Sequence, residues 1–188
     1  MKPSPSRPPE QLDAGPVLLR RCGTEESAAV ATAIKESLEH LRPWMPWAGP
    51  EAADPEHQRA RLAGAAQSWD AGTEFVYTVF LPGRELTADG AVVGTIGLHR
   101  RIGPGGVAMG YWMHPAHCGR GYATSAARVL TGAALALPDV RQVEIHCDEA
   151  NTASAAIPRK LGYRLDRIDP RIPEAPGETG RLMIWVCG

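Results

Sequence analysis

The chain has 188 residues, of which 44% are hydrophobic and 22% charged, and its net charge is −1. That balance suits one soluble domain with a buried core and excludes bulk electrostatic attraction to nucleic acid or an anionic membrane. No apolar run approaches the ~20 residues of a membrane-spanning helix. The cysteines, Cys22, Cys118, Cys147 and Cys187, form no C-x-x-C pair, so no metal site or redox motif is expected. Free thiols in a cytoplasmic protein are the simplest reading.

Residues 1–15 are rich in proline and serine, with no apolar core of a secretory signal. They are expected to form a flexible arm ahead of a single domain over 16–188. Residues 17–22 carry Val17, Leu18 and Leu19 and predict a short strand. Thr24 offers an N-cap, with Glu25 and Glu26 at the favourable dipole end. A helix should then run to about residue 40, with Ala29, Ala33, Ile34 and Leu38 on its apolar side. Pro43-Trp44-Met45-Pro46-Trp47 breaks it and makes a stiff aromatic loop. Trp44 and Trp47 there either cap the core or line a substrate cleft.

Asp54-Pro55-Glu56 reads as N-cap and first helical turn. That helix should reach residue 70 with Ala60, Leu62, Ala63, Ala66 and Trp69 apolar, and Ala71-Gly72 should close it. Residues 74–81 are dense in β-formers, residues 82–90 are a polar turn, and residues 91–100 form the next strand. With residues 107–113 this predicts an antiparallel meander. Residues 140–147 follow a strand–helix unit, so they should lie parallel to 107–113 through a right-handed crossover. Asn151 caps a helix that ends at Gly162. Residues 163–168 and 181–186 close the sheet around a Pro-rich loop over 169–180. The expected fold is mixed α/β: a central sheet of six or seven strands with helices on both faces.

Residues 107–130 hold the strongest local signal. An apolar strand ends at Pro115, and Gly119 and Gly121 let the backbone turn and approach a ligand closely. A helix starts at Tyr122. Its free N–H groups and positive dipole end suit a phosphate, so this turn is expected to hold the pyrophosphate of a cofactor. The glycine pattern lacks G-x-G-x-x-G and G-K-[ST], which argues against a dinucleotide fold or a P-loop.

Three stretches resemble the GNAT superfamily of acyl-CoA-dependent N-acyltransferases, and within it the branch that acetylates N-terminal amines of ribosomal proteins. Gly110-Tyr111-Trp112-Met113, followed by Cys118-Gly119-Arg120-Gly121-Tyr122-Ala123-Thr124, is similar to that branch's G-Y-W strand and Q/R-x-x-G-x-G/A loop. Asn151-Thr152-Ala153-Ser154, then Lys160-Leu161-Gly162-Tyr163, resembles N-x-x-S…K-L-G-F/Y. Leu41-Arg42-Pro43-Trp44-Met45-Pro46-Trp47 resembles L-R-P-W-L-P-W.

The resemblance implies acetyl transfer from acetyl-CoA to a primary amine, on a small molecule or a peptide N-terminus, by direct attack on the thioester. It implies that strands 107–113 and 141–147 splay to admit the cofactor. Met113 and His114 would meet it through the main chain, and Cys118 to Thr124 would give N–H groups to the pyrophosphate. Asn151 would bond the pantetheine arm while capping its helix. Ser154 would lie near the sulfur as general acid. Lys160, with Arg159, Arg120 or Arg128, would reach the 3′-phosphate. Trp44, Trp47 and Tyr111 would line the acceptor site. Two departures stand out. Cys118 replaces the usual Gln or Arg, and Ala108 stands where relatives often carry Glu as general base. His114 and Glu144, then His146 and Asp148, remain as base candidates, with His117 expected to be exposed. The alternative that Ala108 raises is a non-catalytic acyl-CoA-binding module. A monomer and a homodimer are both compatible.

Overall fold

The computed structural model describes residues 6–83 and 92–188. The expected turn over 82–90 lies largely outside them, as do residues 1–5. Among the described residues eight strands form one sheet in the order β1-β2-β3-β4-β5-β6-β8-β7. These are β1 (Gln11–Asp13), β2 (Leu18–Arg21), β3 (Glu74–Phe80), β4 (Val92–His99), β5 (Gly106–Met113), β6 (Gln142–Asp148), β7 (Arg164–Pro170) and β8 (Arg181–Cys187). Only the β5–β6 pair is parallel among the described residues. The connection between them is α3 (Tyr122–Leu135), the expected crossover. The described residues hold three more α-helices: α1 (Ser27–Leu41), α2 (Pro55–Ala71) and α4 (Thr152–Leu161).

Strand alternation sorts the helices onto two faces. Val107, Met109 and Met113 of β5 join a buried cluster with Ala126 and Leu130 of α3. Trp112, of opposite parity, joins a second cluster with Ile34 of α1 and Leu62 of α2. The sheet therefore carries α3 and α4 on one face and α1 and α2 on the other.

Several helix boundaries follow from single residues. Asp54 accepts from Glu56 N (2.7 Å) and His57 N, Pro55 opens α2, and Gly72 ends it in the left-handed region at φ 72. Asn151 accepts from Ser154 N at 3.1 Å, and Gly162 closes α4 at φ 78.

Three expectations are corrected. Residues 11–13 do not belong to an arm: they form β1, in register with Leu18 to Arg20. Leu12 packs on the core, and Tyr77 Oη donates to Pro9 O at 2.7 Å, so this extended Pro-rich segment covers the sheet edge. Thr24 caps nothing. Residues Thr24–Glu26 form a 3-10 turn behind Gly23, and Glu26 is buried against Arg20 and Thr78. The buried face of α2 is Gln58, Leu62, Ala65 and Trp69, while Ala60 is exposed. Gln58 tolerates burial because its amide donates to Ala52 O at 2.8 Å and accepts from Arg61 Nε at 2.7 Å.

Candidate active site

The parallel ladder runs from Gly106↔Gln142 to Met109↔Ile145 and stops. Both strands continue, β5 to Met113 still paired with β4, and β6 to Asp148 still paired with β8. The two strands part at Gly110, leaving a fork whose inner edges carry unpaired backbone groups. Cavities open on the two faces of this fork. One, of 340 Å³, lies against α3 and α4; the other, of 640 Å³, lies on the α1 and α2 side. Trp44, Met45, Tyr111, Trp112, Asn151 and Ser154 border both, so the two meet at the fork.

The smaller cavity runs to the loop before α3. Gly119 and Gly121 hold φ of 75 and 80, the left-handed region that favours glycine. A Cβ at either would meet no atom within 4 Å, so backbone conformation, not crowding, demands glycine there. No side chain caps α3, so its first-turn N–H groups stay available, with the positive end of the helix dipole behind them. Met113, Cys118, Gly119, Gly121, Tyr122, Ala123, Thr124, Asn151, Ser154 and Lys160 line this cavity together. His117 lines it too and is half-buried rather than exposed. Burial, then the neighbouring His114 and Arg120, lowers its pKa below the usual histidine value. Its Nδ1 is buried with no partner among the described residues.

Other expected cofactor residues sit elsewhere. Arg120 and Arg128 are exposed and border neither cavity. Arg159 lies over the Trp185 ring at 5.3 Å. His114 is occupied at every polar atom. Its N–H donates to Val93 O (2.8 Å), its carbonyl accepts from His117 N (2.9 Å), Nδ1 accepts from Ala116 N (3.2 Å), and Nε2 pairs with Glu36 (3.0 Å). It shapes the turn and has no free nitrogen to serve as base or main-chain ligand. Cys118 Sγ lies 3.6 Å from His114 O, and burial pushes its thiol up.

At the fork, Tyr111 Oη lies 3.1 Å from Ser154 Oγ. Burial pushes the Tyr111 phenol above its usual range, so it stays protonated. On the other face, Trp47 sits beside Trp112 with ring centroids 6.4 Å apart, and both border the larger cavity together with Trp44. Arg61 reaches this cavity from α2, and its Nη2 is buried with no partner among the described residues.

The acidic candidates are engaged. Glu144 is buried, Oε1 accepting from Gln142 Nε2 (3.0 Å) and Oε2 paired with His146 Nε2 (2.6 Å). It borders neither cavity. Asp148 accepts from the N–H groups of Ala150, Thr179, Gly180 and Arg181 and from the Thr179 hydroxyl. Burial pushes its carboxyl up, but those bonds outweigh it and hold the group below the usual carboxylate range. Sequence reasoning missed His99, which borders the larger cavity from the end of β4. Its only signal is its position opposite Ala108, and that is a matter of register.

No curated protein matches the chain in sequence. Among solved structures it is similar to a ribosomal-protein alpha-N-acetyltransferase, RimL, in complex with coenzyme A. That match has a TM-score of 0.83 and 18% identity and covers 95% of this chain and 97% of that one. It is similar to a microcin self-immunity acetyltransferase, MccE, in complex with acetyl-CoA and AMP, at TM-score 0.83 and 13% identity over 95% and 96% of the chains. RimJ of Mycobacterium smegmatis, in complex with a CoA-disulfide, also aligns at TM-score 0.83, with 21% identity over 97% and 90%. At these identities the likeness shows the fold. Residues 16–164 match the profile described as an acetyltransferase (GNAT) domain, most of the chain's length, and the chain belongs to that family.

Proposed function

We propose that this acetyltransferase takes its acetyl group from acetyl-CoA held in the smaller cavity and delivers it to a primary amine entering through the larger one. The observation that carries this reading is the uncapped N-terminus of α3, behind two left-handed glycines, beside a forked strand pair. Such a site gives N–H groups to a pyrophosphate and an open β-edge to an extended arm. The buried, unpartnered Nδ1 of His117 adds one more polar group on the same wall. RimL, MccE and RimJ, similar in fold, hold coenzyme A, acetyl-CoA and a CoA-disulfide.

In this reading the N–H groups of residues 119–124 hold the pyrophosphate, Met113 and Asn151 bracket the pantetheine arm, and Lys160 sits at the mouth for the 3′-phosphate. Acetyl-CoA supplies an activated acyl thioester. Ser154 Oγ, oriented by the Tyr111 phenol, holds a proton for the departing sulfur. Trp44, Trp47 and Tyr111 border the space for the acceptor, a small-molecule amine or a peptide N-terminus.

An acetyl-transfer screen with thiol detection tests this, run over small amines, drug-like amines and short peptides with free N-termini. Amine-dependent thiol release from at least one class is the expected result. Saturable acetyl-CoA binding with no release across all classes contradicts it.

A further inference from the structure

We propose that His99 accepts the proton of the acceptor amine, held for that task by Glu74. This rests on the acetyl-transfer reading above. His99 ends β4 directly opposite Ala108 of β5. Glu144 of β6 stands on the other side of the same alanine. Ala108 thus presents only a methyl group to the larger cavity and offers no proton acceptor of its own.

The His99 ring fits that place. It leans along β5 over Gly110, the first residue of the fork. A Cβ at Gly110 would lie 3.7 Å from His99 Nε2 and 4.0 Å from its Cδ2, with no nearer atom. Glycine at 110 therefore leaves the Nε2 edge uncovered. On the opposite side of the ring, Nδ1 lies 3.0 Å from Glu74 Oε1, the cross-strand partner on β3. A carboxylate at Nδ1 favours the tautomer with the proton on Nδ1, leaving the Nε2 lone pair free. The side chain is 20% exposed, enough to meet a ligand and little enough to stay in place.

His146 is the comparable group on this cavity: Glu144 holds its Nε2 and leaves Nδ1 open, so the H146Q variant is the control, while His99 is the ring that lies over Gly110. The remaining charged groups among the described residues are engaged or lack a lone pair. Asp148 and Glu178 bond backbone N–H groups of the 171–181 loop, and Arg171 pairs with Glu174. Arg61 and Arg101 are cations and accept no proton. Among the described residues Nε2 of His99 has no hydrogen-bond partner, so its lone pair is available.

An ammonium acceptor gives one proton to His99 Nε2, and the freed amine lone pair forms the N–C bond as the C–S bond breaks. Ser154 Oγ gives its proton to the departing thiolate, the second proton leaving nitrogen passes to Ser154 Oγ and restores its hydroxyl, and the imidazolium returns the first proton to solvent. His99 is the catalytic base in this scheme and Glu74 a positioning residue.

The test has two parts. Nitrogen chemical shifts of the histidine rings in the ligand-free protein should show His99 as the Nδ1–H tautomer, and the E74Q variant should lose that preference. An Nε2–H tautomer in the wild type overturns the proposal without any activity measurement. In turnover, His99→Gln should lower kcat/KM at neutral pH by ~10²-fold and remove the acid limb of the pH profile. Its acetyl-CoA affinity, measured by calorimetry, should be unchanged, which also reports that it folds. E74Q should show a smaller loss, in kcat more than in KM. An H99Q enzyme that keeps the limb while H146Q loses it moves the role to His146 and overturns the proposal. A wild type with no turnover on any amine defeats the acetyl-transfer reading instead, and the tautomer result still stands or falls alone.

Discussion

Tyr111 Oη and Ser154 Oγ lie 3.1 Å apart, joining β5 to α4 at the point where the parallel strands separate. The contact is local in space but spans 43 residues of sequence. It places the one hydroxyl of α4's first turn that borders both cavities beside a phenol that burial keeps protonated. Ser154→Ala should therefore reduce kcat by ~10² or more, within the usual range for removing a general acid. Tyr111→Phe should cost less, because Ser154 keeps its own proton. Acetyl-CoA affinity should change little in either. Steady-state kinetics with a parallel calorimetric titration check both.

Gly121 precedes α3 at φ 80, and nothing lies within 4 Å of where its Cβ would be. An alanine there meets no obstacle but occupies a backbone region that costs an L-residue ~1–2 kcal/mol. The loop should relax away from that conformation and misaim the N–H groups behind it. Gly121→Ala should weaken acetyl-CoA binding by ~10-fold or more, since 1.4 kcal/mol is a factor of ten. The melting temperature of the ligand-free protein should fall only slightly. A variant binding as tightly as the wild type would show that the loop does not hold the phosphates.

Asp148 ends β6 and gathers four backbone N–H groups and a hydroxyl, most of them from residues 179–181. Its folded-state pKa lies below its unfolded value, because those donors outweigh the opposing effect of burial. The sign follows: the stabilisation is complete above the ordinary aspartate value, about 3.9. It is lost as pH falls from there through the lower folded-state value. Asp148→Asn should cost ~1–3 kcal/mol at neutral pH, the penalty for leaving buried donors poorly matched. The difference from the wild type should shrink in acid. Urea melts of both proteins at neutral and acid pH measure it.

Much of this architecture is legible in short-range chemistry. Asp54 before Pro55, Asn151 three residues ahead of Ser154, and Gly72 and Gly162 at helix ends all act within a turn of themselves, and each appears where expected. The loop glycines belong to the same class. What escapes a linear reading depends on register. Residues 11–13 become a strand only because Leu18 to Arg20 offer an edge. Glu26 reads as a dipole partner near a helix start, yet it turns inward to Arg20 and Thr78, 52 residues away from the latter. His114 and His99 show the contrast most clearly. The first lies inside the motif and draws attention, but its own turn, Val93 of β4 and Glu36 of α1 engage all of its polar atoms. The second lies outside every motif and reaches the fork only through strand pairing.

The most direct measurement is thiol release from acetyl-CoA as a function of amine concentration, with the wild type and Gly121→Ala side by side. The account predicts saturable, amine-dependent release by the wild type and a higher acetyl-CoA concentration for half-maximal rate in the variant. Tight acetyl-CoA binding by the wild type with no amine-dependent release over the whole panel would contradict it.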